Sequence, residues 1–327
     1  MKKILVVCAA LLLPCFLVRA QGADDTGTGV GLSVIPRLDL SLDGGQFTLG
    51  NSSIYSLFEG NITENLSFSV ENHWAGFYDV SDVFGATKEL YQNTLKRQSN
   101  WLDWAYLAYN FGNWTITAGK EMVTTGGWEY DEYDYDVHPA LYSSLWNTFS
   151  PYQWGVKLGY EFLEENELTL QVLTSPTVTG VFEKPYFAYS LGWEGNLAGI
   201  KTKWSYTAFD GEDLLGDRAL SHIIALGQKY ELDRISFTLD LFEEIYPDAN
   251  RFTASPSVLW SICDSLELLV KGGYENMGGN HYGFGGAAIQ WYPVKNLRVH
   301  AVAAYNATPV WDCASFTLGA IYYLNLL

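Results

Sequence analysis

Apolar and polar residues alternate along the chain from about Gly31 to Leu327, in stretches of roughly ten residues separated by turn-like connectors. Because successive side chains of a strand point to opposite faces, each stretch predicts a strand with one apolar and one polar face. The last stretch places six side chains on one apolar face: Phe316, Leu318, Ala320, Tyr322, Leu324 and Leu326. Strands cross a bilayer only when they close into a barrel, since an open edge leaves backbone groups unpaired in lipid.

The pattern yields sixteen strand candidates. They are residues 31–41, 46–60, 65–76, 100–111, 114–123, 152–162, 167–175, 185–194, 199–210, 220–230, 234–246, 251–262, 265–276, 282–292, 297–307 and 314–326. The sequence therefore predicts an all-β protein, a transmembrane antiparallel β-barrel of about 16 strands. An even number of strands places both termini on one side of the membrane, the periplasmic side.

The connectors between these candidates alternate in length. Every second connector is short and rich in turn-forming residues: 62–65, 112–113, 163–166, 195–198, 232–233, 263–264 and 293–296. The long connectors 77–99 and 124–151 belong to the other set. Outer-membrane barrels have short periplasmic turns and longer extracellular loops, so residues 124–151 are predicted to form the third extracellular loop. A secreted soluble β protein, one rival interpretation, gives no reason for this alternation.

The first twenty residues predict a secretory signal peptide, because Lys2 and Lys3 precede an apolar core and a Val18-Arg19-Ala20 cleavage site. Residues 21–30 are then a short N-terminal periplasmic segment. Residues 31–327 are the barrel, in the outer membrane of a Gram-negative bacterium. Cys263 and Cys313 fall at opposite ends of this barrel, too far apart for a disulfide, and are predicted to be free thiols.

The chain is strongly acidic, with a formal net charge of −18, and removal of the signal peptide takes away three more basic residues. This charge argues against a nucleic-acid partner, since phosphate binding requires clustered Lys and Arg. The five histidines and the cysteines show neither metal-ligand spacing nor a hydrolase arrangement, and there is no phosphate-binding glycine motif. We therefore expect no enzymatic activity, no metal and no cofactor.

The polar face of each strand predicts a water-filled lumen of mixed charge. In the strand 65–76, Phe68 and Val70 face lipid; in the strand 234–246, Phe237 and Leu239 do so. The charged side chains predicted to line the pore are Arg37, Asp39, Glu71, Asp103, Glu121, Lys157, Glu161, Lys201, Lys203, Asp240, Glu267, Lys271 and Arg298. Most of them are expected to pair with charges on neighbouring strands.

The third extracellular loop contains five carboxylates within residues 128–136. They are Glu129, Asp131, Glu132, Asp134 and Asp136. If the loop folds into the lumen, these charges attract cations and repel anions at the narrowest point of the pore. The alternatives are a solvated acidic loop at the cell surface and a calcium site, although the spacing is not that of a helix–loop–helix calcium motif.

Two segments, residues 101–110 and 118–129, resemble the phosphate-selective porin O and P family, in particular its shorter members from Bacteroidota. Gly119-Lys120 matches the family pattern, whereas Thr124-Thr125-Gly126 stands where the family has a Pro-Phe-Gly element. The resemblance implies a sixteen-stranded, trimeric porin. It does not extend to phosphate selectivity, because the family's basic ladder has no mapped counterpart here and the chain is acidic.

The sequence thus predicts an outer-membrane porin for passive diffusion of small hydrophilic solutes or ions, with a preference for cations. Its partners would be outer-membrane lipid, the permeating solutes and two further copies of itself in a homotrimer. One alternative is a substrate-specific channel for sugars or small organic or phosphate anions, with Tyr109, Phe209 and Phe242 lining a binding track. Another is a non-conducting barrel with a structural role at the cell surface.

Overall fold

The computed structural model describes residues 29–49, 52–77, 102–130, 136, 138–163, 165–177, 185–212, 217–247, 249–308 and 312–327. The predicted signal peptide and almost all of the segment 21–30 lie outside these residues. The described strands are β1 Val30–Asp43, β2 Gln46–Thr48, β3 Ser52–Thr63, β4 Leu66–Phe77, β5 Leu102–Phe111, β6 Trp114–Met122, β7 Tyr152–Glu161, β8 Glu167–Thr174, β9 Phe187–Leu197, β10 Ile200–Glu212, β11 Arg218–Leu232, β12 Ile235–Ile245, β13 Asn250–Cys263, β14 Leu266–Met277, β15 Asn280–Val294, β16 Leu297–Ala307, β17 Asp312–Tyr322 and β18 Leu324–Asn325.

These eighteen segments form one closed antiparallel barrel of sixteen strands, since two of the sixteen strands are each divided into two segments. β2 and β3 both pair with β1 and act as one strand, and β17 and β18 do the same on the other side of β1. The pairing of β1 with β17, with Arg37 opposite Ile321, closes the sheet. The predicted all-β barrel of about 16 strands is confirmed, and its closure leaves no sheet edge to meet lipid.

The start of β1 and the C-terminal residues lie at the same end of the barrel, where the Leu326 amide donates to the Leu32 carbonyl at 2.7 Å. The connectors at that end are all short, namely 64–65, 112–113, 162–166, 198–199, 233–234, 264–265 and 295–296. Each coincides with, or lies a few residues from, a predicted periplasmic turn. At the opposite end Gly278 and Gly279 form a tight turn with φ of 56° and 87°, a conformation that glycine adopts without steric cost.

The outer wall of the barrel is apolar, as a membrane protein requires. Phe237 and Leu239 are exposed on it, whereas Asp240 points inward and is 1% exposed, as predicted for this strand. Exposed aromatic side chains cluster towards the two ends: Tyr109, Phe111, Trp114, Tyr230, Trp260 and Trp291 near the periplasmic turns, and Trp74, Phe187, Tyr189, Tyr274 and Tyr305 near the extracellular end. Most of the exposed side chains in the band between them are aliphatic. This arrangement is typical of the interfacial aromatic girdles of outer-membrane barrels.

The long connector between β6 and β7, residues 123–151, is called the L3 loop here, and its described residues (123–130, 136 and 138–151) lie inside the barrel. Within it Pro139–Leu141 form a 3-10 turn and Ser144–Thr148 form the short helix α1. Among the described residues, no helix has the length and apolar character needed to cross a membrane.

The lumen is not uniformly polar, and on this point the sequence prediction was wrong. Apolar side chains of β8 to β12 point inward at the level of the L3 loop, where aromatic side chains of the loop cover them. The resulting core contains Val123, Tyr142, Leu145, Trp146, Phe149, Leu173, Ala188, Phe209, Ile223, Ala225 and Phe242. One side of the barrel interior is therefore packed like the core of a soluble protein.

Candidate functional site

The L3 loop leaves the barrel wall and rejoins it at neighbouring positions, and its described residues lie along the inner wall. The Val123 amide donates to the Pro151 carbonyl at 2.8 Å, which closes the base of the loop. Farther along, the Gly127 amide donates to the Lys203 carbonyl at 3.0 Å, and Asn306 Nδ2 donates to the Tyr142 carbonyl at 3.4 Å. The loop thus contacts the wall from β10 to β16 and narrows the lumen from that side.

Packing attaches the middle of the loop to the wall. The Trp146 ring meets Phe149 and Phe242 edge-on, with centroids 6.0 and 6.4 Å apart, and Phe149 meets Phe209 in the same way at 6.4 Å. Phe209 and Phe242 are completely buried here. The hypothesis that Tyr109, Phe209 and Phe242 line a binding track is therefore wrong, because the two phenylalanines pack under the L3 loop and Tyr109 is exposed on the outer wall.

Three carboxylates hold the L3 loop in place. They accept hydrogen bonds from backbone amides of the loop, and one of them also forms an ion pair with a side chain of the wall. Glu129, on the loop, is bound by Lys271 Nζ at 2.7 Å and by the amide and hydroxyl of Ser143 at 2.8 and 2.6 Å. Asp240, on β12, accepts the Trp128 amide at 2.8 Å. Glu275 of β14 accepts the Ser144 amide at 2.6 Å and the Ser144 hydroxyl at 2.7 Å. Charge-assisted hydrogen bonds of this kind are the stronger ones, so the loop is held firmly.

A second set of contacts holds the far part of the loop. Asp136 accepts a hydrogen bond from Arg298 Nη1 at 2.7 Å and from the Tyr323 hydroxyl at 2.8 Å. His138 packs against His300, with ring centroids 5.2 Å apart, and is buried. Burial, and then the nearby cationic side chains led by Arg298, hold the pKa of His138 well below its ordinary value, so the docked imidazole is neutral.

The structure therefore gives two of the five predicted loop carboxylates a direct role in attachment. Glu129 and Asp136 are bound to cations of the wall, which the prediction of a free acidic constriction did not foresee. Asp131, Glu132 and Asp134 lie outside the described residues.

Most of the predicted pore-lining residues have an oppositely charged or histidine partner, but not always on a neighbouring strand. Arg37 pairs within its own strand, and Lys271 and Arg298 pair with the L3 loop. The pairs are Arg37 with Asp39 at 2.8 Å, Lys157 with Glu121 at 2.8 Å, Lys201 with Glu231 at 2.7 Å, Lys203 with Glu194 at 3.4 Å, Lys271 with Glu129, Arg298 with Asp136, and Asp103 with His73 at 2.7 Å. Glu267 accepts the Tyr292 hydroxyl at 3.2 Å, and Glu71 is fully buried. Glu161 is exposed near the periplasmic end.

Lys229 was not among the predicted pore-lining residues, although it lies opposite Lys201 on the neighbouring strand. Lys203 and Lys229 both contact the Trp128 ring of the L3 loop, with Nζ 4.4 and 5.2 Å from its centroid, in a cation–π arrangement. The alternation of faces along β11 contained the signal, because Lys229 and Glu231 are polar positions on the same face of this strand.

Among the cavities that the described residues outline, two lie in the lumen beside the L3 loop. The first has a volume of about 400 Å³ and is bordered by Glu129, Asp240, Lys271 and Arg298, which also anchor the loop, and by Lys229 and Glu267. The second has a volume of about 450 Å³ and lies on the other side of the lumen, against β3 to β10. Among the described residues, no group of three or more His, Cys, Asp or Glu side chains is arranged to hold a metal ion.

Comparisons with known proteins give matches in structure. Neither family models nor curated proteins match the sequence. Similar solved structures include the outer-membrane channel DcaP of Acinetobacter baumannii, with 13% identity, a TM-score of 0.63 and coverage of 94% of this chain and 100% of that one. The trimer form of OmpT, an outer-membrane protein of Vibrio cholerae, has 12% identity, a TM-score of 0.56 and coverage of 91% and 100%. An anion-selective porin from Comamonas acidovorans has 9% identity, a TM-score of 0.63 and coverage of 91% and 100%.

At this level of identity the likeness establishes the fold. The chain has the fold of outer-membrane porins and channels. Together with the apolar outer wall and its aromatic girdles, this fold places the protein in a Gram-negative outer membrane.

Proposed function

We propose that the protein is a porin through which small hydrophilic solutes and ions diffuse passively, without enzymatic activity. The observation that carries this proposal is the folded-in L3 loop, which narrows a closed sixteen-strand lumen and leaves charged cavities of about 400 and 450 Å³ beside it. A barrel of this size has an aqueous interior unless it is plugged. The loop and the charged walls are the parts that set which solutes pass.

Reconstitution of the folded barrel tests this proposal. We expect stepwise conductance in planar bilayers and swelling of liposomes in isotonic solutions of small sugars. The packed core between the L3 loop and β8 to β12 favours the second candidate, a non-conducting structural barrel. If the protein is correctly inserted but shows neither conductance steps nor swelling, this second function replaces the first.

We also propose that the pore prefers cations. The support is the net charge of the chain, together with the charged side chains among the described residues that line the second cavity, which are four glutamates (Glu59, Glu121, Glu167 and Glu194) and two lysines (Lys157 and Lys203). Because Glu129 and Asp136 are bound to Lys271 and Arg298, the remaining loop carboxylates carry the selectivity in this proposal. Neutralising Asp131, Glu132 and Asp134 together should move the reversal potential in a KCl gradient towards zero. An anion-selective parent would reject the preference and leave the pore intact.

A homotrimer is proposed as the assembly. The support is the resemblance to porins in the sequence, together with the similarity to a barrel described in a trimer form. Mass determination of the detergent-solubilised protein by light scattering gives one or three copies per particle, and a single copy would reject the proposal.

We further propose that the chain is a distant relative of the phosphate-selective porin O and P family without that family's selectivity. Both resembling segments contribute to one hairpin, in which Gly119 lies opposite Tyr106 in the β5–β6 pairing, and the second segment continues into the L3 loop. Lys120 donates to the carbonyl of Leu102 and is buried. We therefore expect phosphate to cause no saturable block of the conductance, and such a block would show that the family's selectivity is retained.

A further inference from the structure

The first cavity is lined by hydroxyl groups as well as by charged groups. Its volume of about 400 Å³ falls in the range of small-ligand sites. One row of directly paired side chains crosses the wall from β11 to β14 and lines the cavity, namely Lys229, Thr238, Ser257 and Lys271. We call it the hydroxyl row. The Thr238 and Ser257 hydroxyls lie 2.5 Å apart, so one donates to the other, and the pair still has one O–H group to donate and lone pairs to accept.

The charged groups of this lining already have partners. Each of its three lysine and arginine side chains binds a carboxylate, in the pairs Lys271 with Glu129, Arg298 with Asp136 and Lys229 with Glu231, at 2.7, 2.7 and 2.8 Å. Its two other carboxylates accept hydrogen bonds, Asp240 from the Trp128 amide and Glu267 from the Tyr292 hydroxyl. An ionic solute must compete with these partners. A hydroxyl group donates and accepts at once, so a neutral solute adds hydrogen bonds to the same groups without displacing a partner.

Two nitrogen atoms of the lining lack a hydrogen-bond partner within the described residues. They are Trp128 Nε1 and His138 Nε2, and both atoms are buried. The indole nitrogen only donates, whereas a ring nitrogen of neutral His138 donates or accepts according to the tautomer. A hydroxyl group satisfies either nitrogen, because it both donates and accepts. An unsatisfied buried group is unfavourable, so a solute that brings hydroxyl groups to these atoms gains free energy.

We propose that the first cavity binds neutral polyhydroxylated solutes, namely monosaccharides and polyols of similar size, as they pass through the pore. The solute hydroxyls bind the hydroxyl row and the ion pairs at its two ends. This inference rests on the proposed function, because the cavity lies in the lumen. A carboxylate or an ammonium group on the same sugar gives no advantage here, since the charges that it meets already have partners.

Binding to the folded barrel in detergent micelles tests this inference without requiring conduction. The detergent is lauryldimethylamine oxide, which carries no sugar, and the readout is saturation-transfer difference NMR. Glucose is compared with tetrahydropyran-2-methanol, which keeps the ring and one hydroxyl, and with glucosamine and glucuronate, which carry a positive and a negative charge. We expect saturable glucose binding with a Kd of about 1–10 mM, as a few hydrogen bonds provide, and no measurable binding of tetrahydropyran-2-methanol. Equal binding of that compound would overturn the proposal, as would tighter binding of either charged sugar.

Two variants locate the site and leave the anchors of the L3 loop in place. Thr238→Val and Ser257→Ala each remove one hydroxyl, and each is expected to raise the Kd for glucose by about fivefold. If one variant does not fold, the other is sufficient on its own. The matched controls are Thr317→Val and Ser41→Ala, because these two hydroxyls also pair across neighbouring strands, at 2.8 Å, but line neither of the two cavities. The controls should leave the Kd unchanged. Unchanged binding in Thr238→Val and Ser257→Ala would place the sugar elsewhere and reject the site.

The same protein in planar bilayers separates this proposal from the pore itself. Saturable glucose binding without conductance would reject the porin function and retain the site. Conductance without glucose binding would retain the porin and reject the site. Together, an ion current that glucose reduces in a saturable way and glucose binding that Thr238→Val weakens support both.

Discussion

Replacing Lys271 with methionine tests whether buried charge holds the L3 loop against the wall. Lys271 Nζ is 2.7 Å from Glu129 Oε1, and the two side chains are 8% and 0% exposed. Methionine keeps most of the volume of lysine and removes its charge. The variant therefore leaves the Glu129 carboxylate buried without its counter-charge, while the Ser143 hydrogen bonds remain.

Removal of one partner from a buried ion pair costs about 3–5 kcal/mol, because the other charge is left uncompensated. Glu129 keeps hydrogen bonds from the amide and hydroxyl of Ser143, so we expect the lower end of this range. Since about 1.4 kcal/mol is a factor of ten, the population of the released loop should rise by about a hundredfold. The exposed pair of Lys201 and Glu231, with 47% and 42% of the side chains exposed, is worth less than about 1 kcal/mol by the same reasoning.

The labelling rate of a buried cysteine measures this population. Leu145 is fully buried in the core under the loop, so a Leu145→Cys thiol reacts with a maleimide only when the loop opens. The experiment uses a background in which Cys263 and Cys313 are serine. Labelling of the Lys271→Met variant should be about a hundred times faster than that of its parent, and labelling of Lys201→Met should be nearly unchanged.

The double variant Lys271→Met/Glu129→Gln controls for packing, because it removes both charges and should recover most of the protection. A Lys271→Met rate within about twofold of the parent, with the barrel intact, would refute the reasoning. It would show that apolar packing alone holds the loop.

Three further predictions concern other parts of the barrel. Gly119→Ala should destabilise the barrel by about 1–3 kcal/mol in urea unfolding, because φ is +142° there and a Cβ would press against the backbone of the neighbouring strand. The exposed Cys263 should react with a maleimide faster than the partly buried Cys313, and no disulfide should form between them under oxidation. The pKa of His138 is well below its ordinary value only when the loop is docked, so the released loop binds more protons, and stability of the docked loop falls as pH falls below about 6.5. Because a maleimide reacts with the thiolate, its intrinsic rate falls with falling pH, so the labelling rate of Leu145→Cys is divided by that of a free thiol such as glutathione at the same pH. This ratio should be higher at pH 5 than at pH 7, and His138→Gln should abolish part of the increase; a pH-independent ratio would contradict it.

The barrel could be predicted from the sequence because its signal is local and repeats every two residues. Phe237, Leu239 and Asp240 take the faces that alternation assigns to them, since a register shift of one residue would turn every side chain to the wrong side. The turns were also predictable from local sequence, because Gly and Asn readily adopt the backbone conformations that tight turns require.

The packed side of the lumen has a weaker signal in the sequence, and the prediction of a uniformly polar lumen did not take it into account. Leu173, Phe209 and Phe242 point inward and are apolar, so their strands are apolar on both faces at the extracellular end. A strand with two apolar faces is covered on both sides. The aromatic residues of the L3 loop provide that cover, whereas the binding-track hypothesis treated the same phenylalanines as exposed to solute.

The anchors of the L3 loop could not be predicted, because their partners are far apart in sequence. Glu129 and Lys271 are separated by 142 residues, and no local pattern relates them. Because Glu129 is paired, the five acidic residues of the L3 loop cannot all be counted as unbalanced charges in the pore. A carboxylate that balances a buried lysine contributes little field to the pore, since the pair is close to neutral at the distance of a passing ion. Ion selectivity must therefore be assigned to the charged side chains that remain when the ion pairs anchoring the L3 loop are set aside. By that count Asp131, Glu132 and Asp134 are the loop carboxylates left to act on a passing ion, which is why the reversal-potential experiment neutralises them and leaves Glu129 and Asp136 in place.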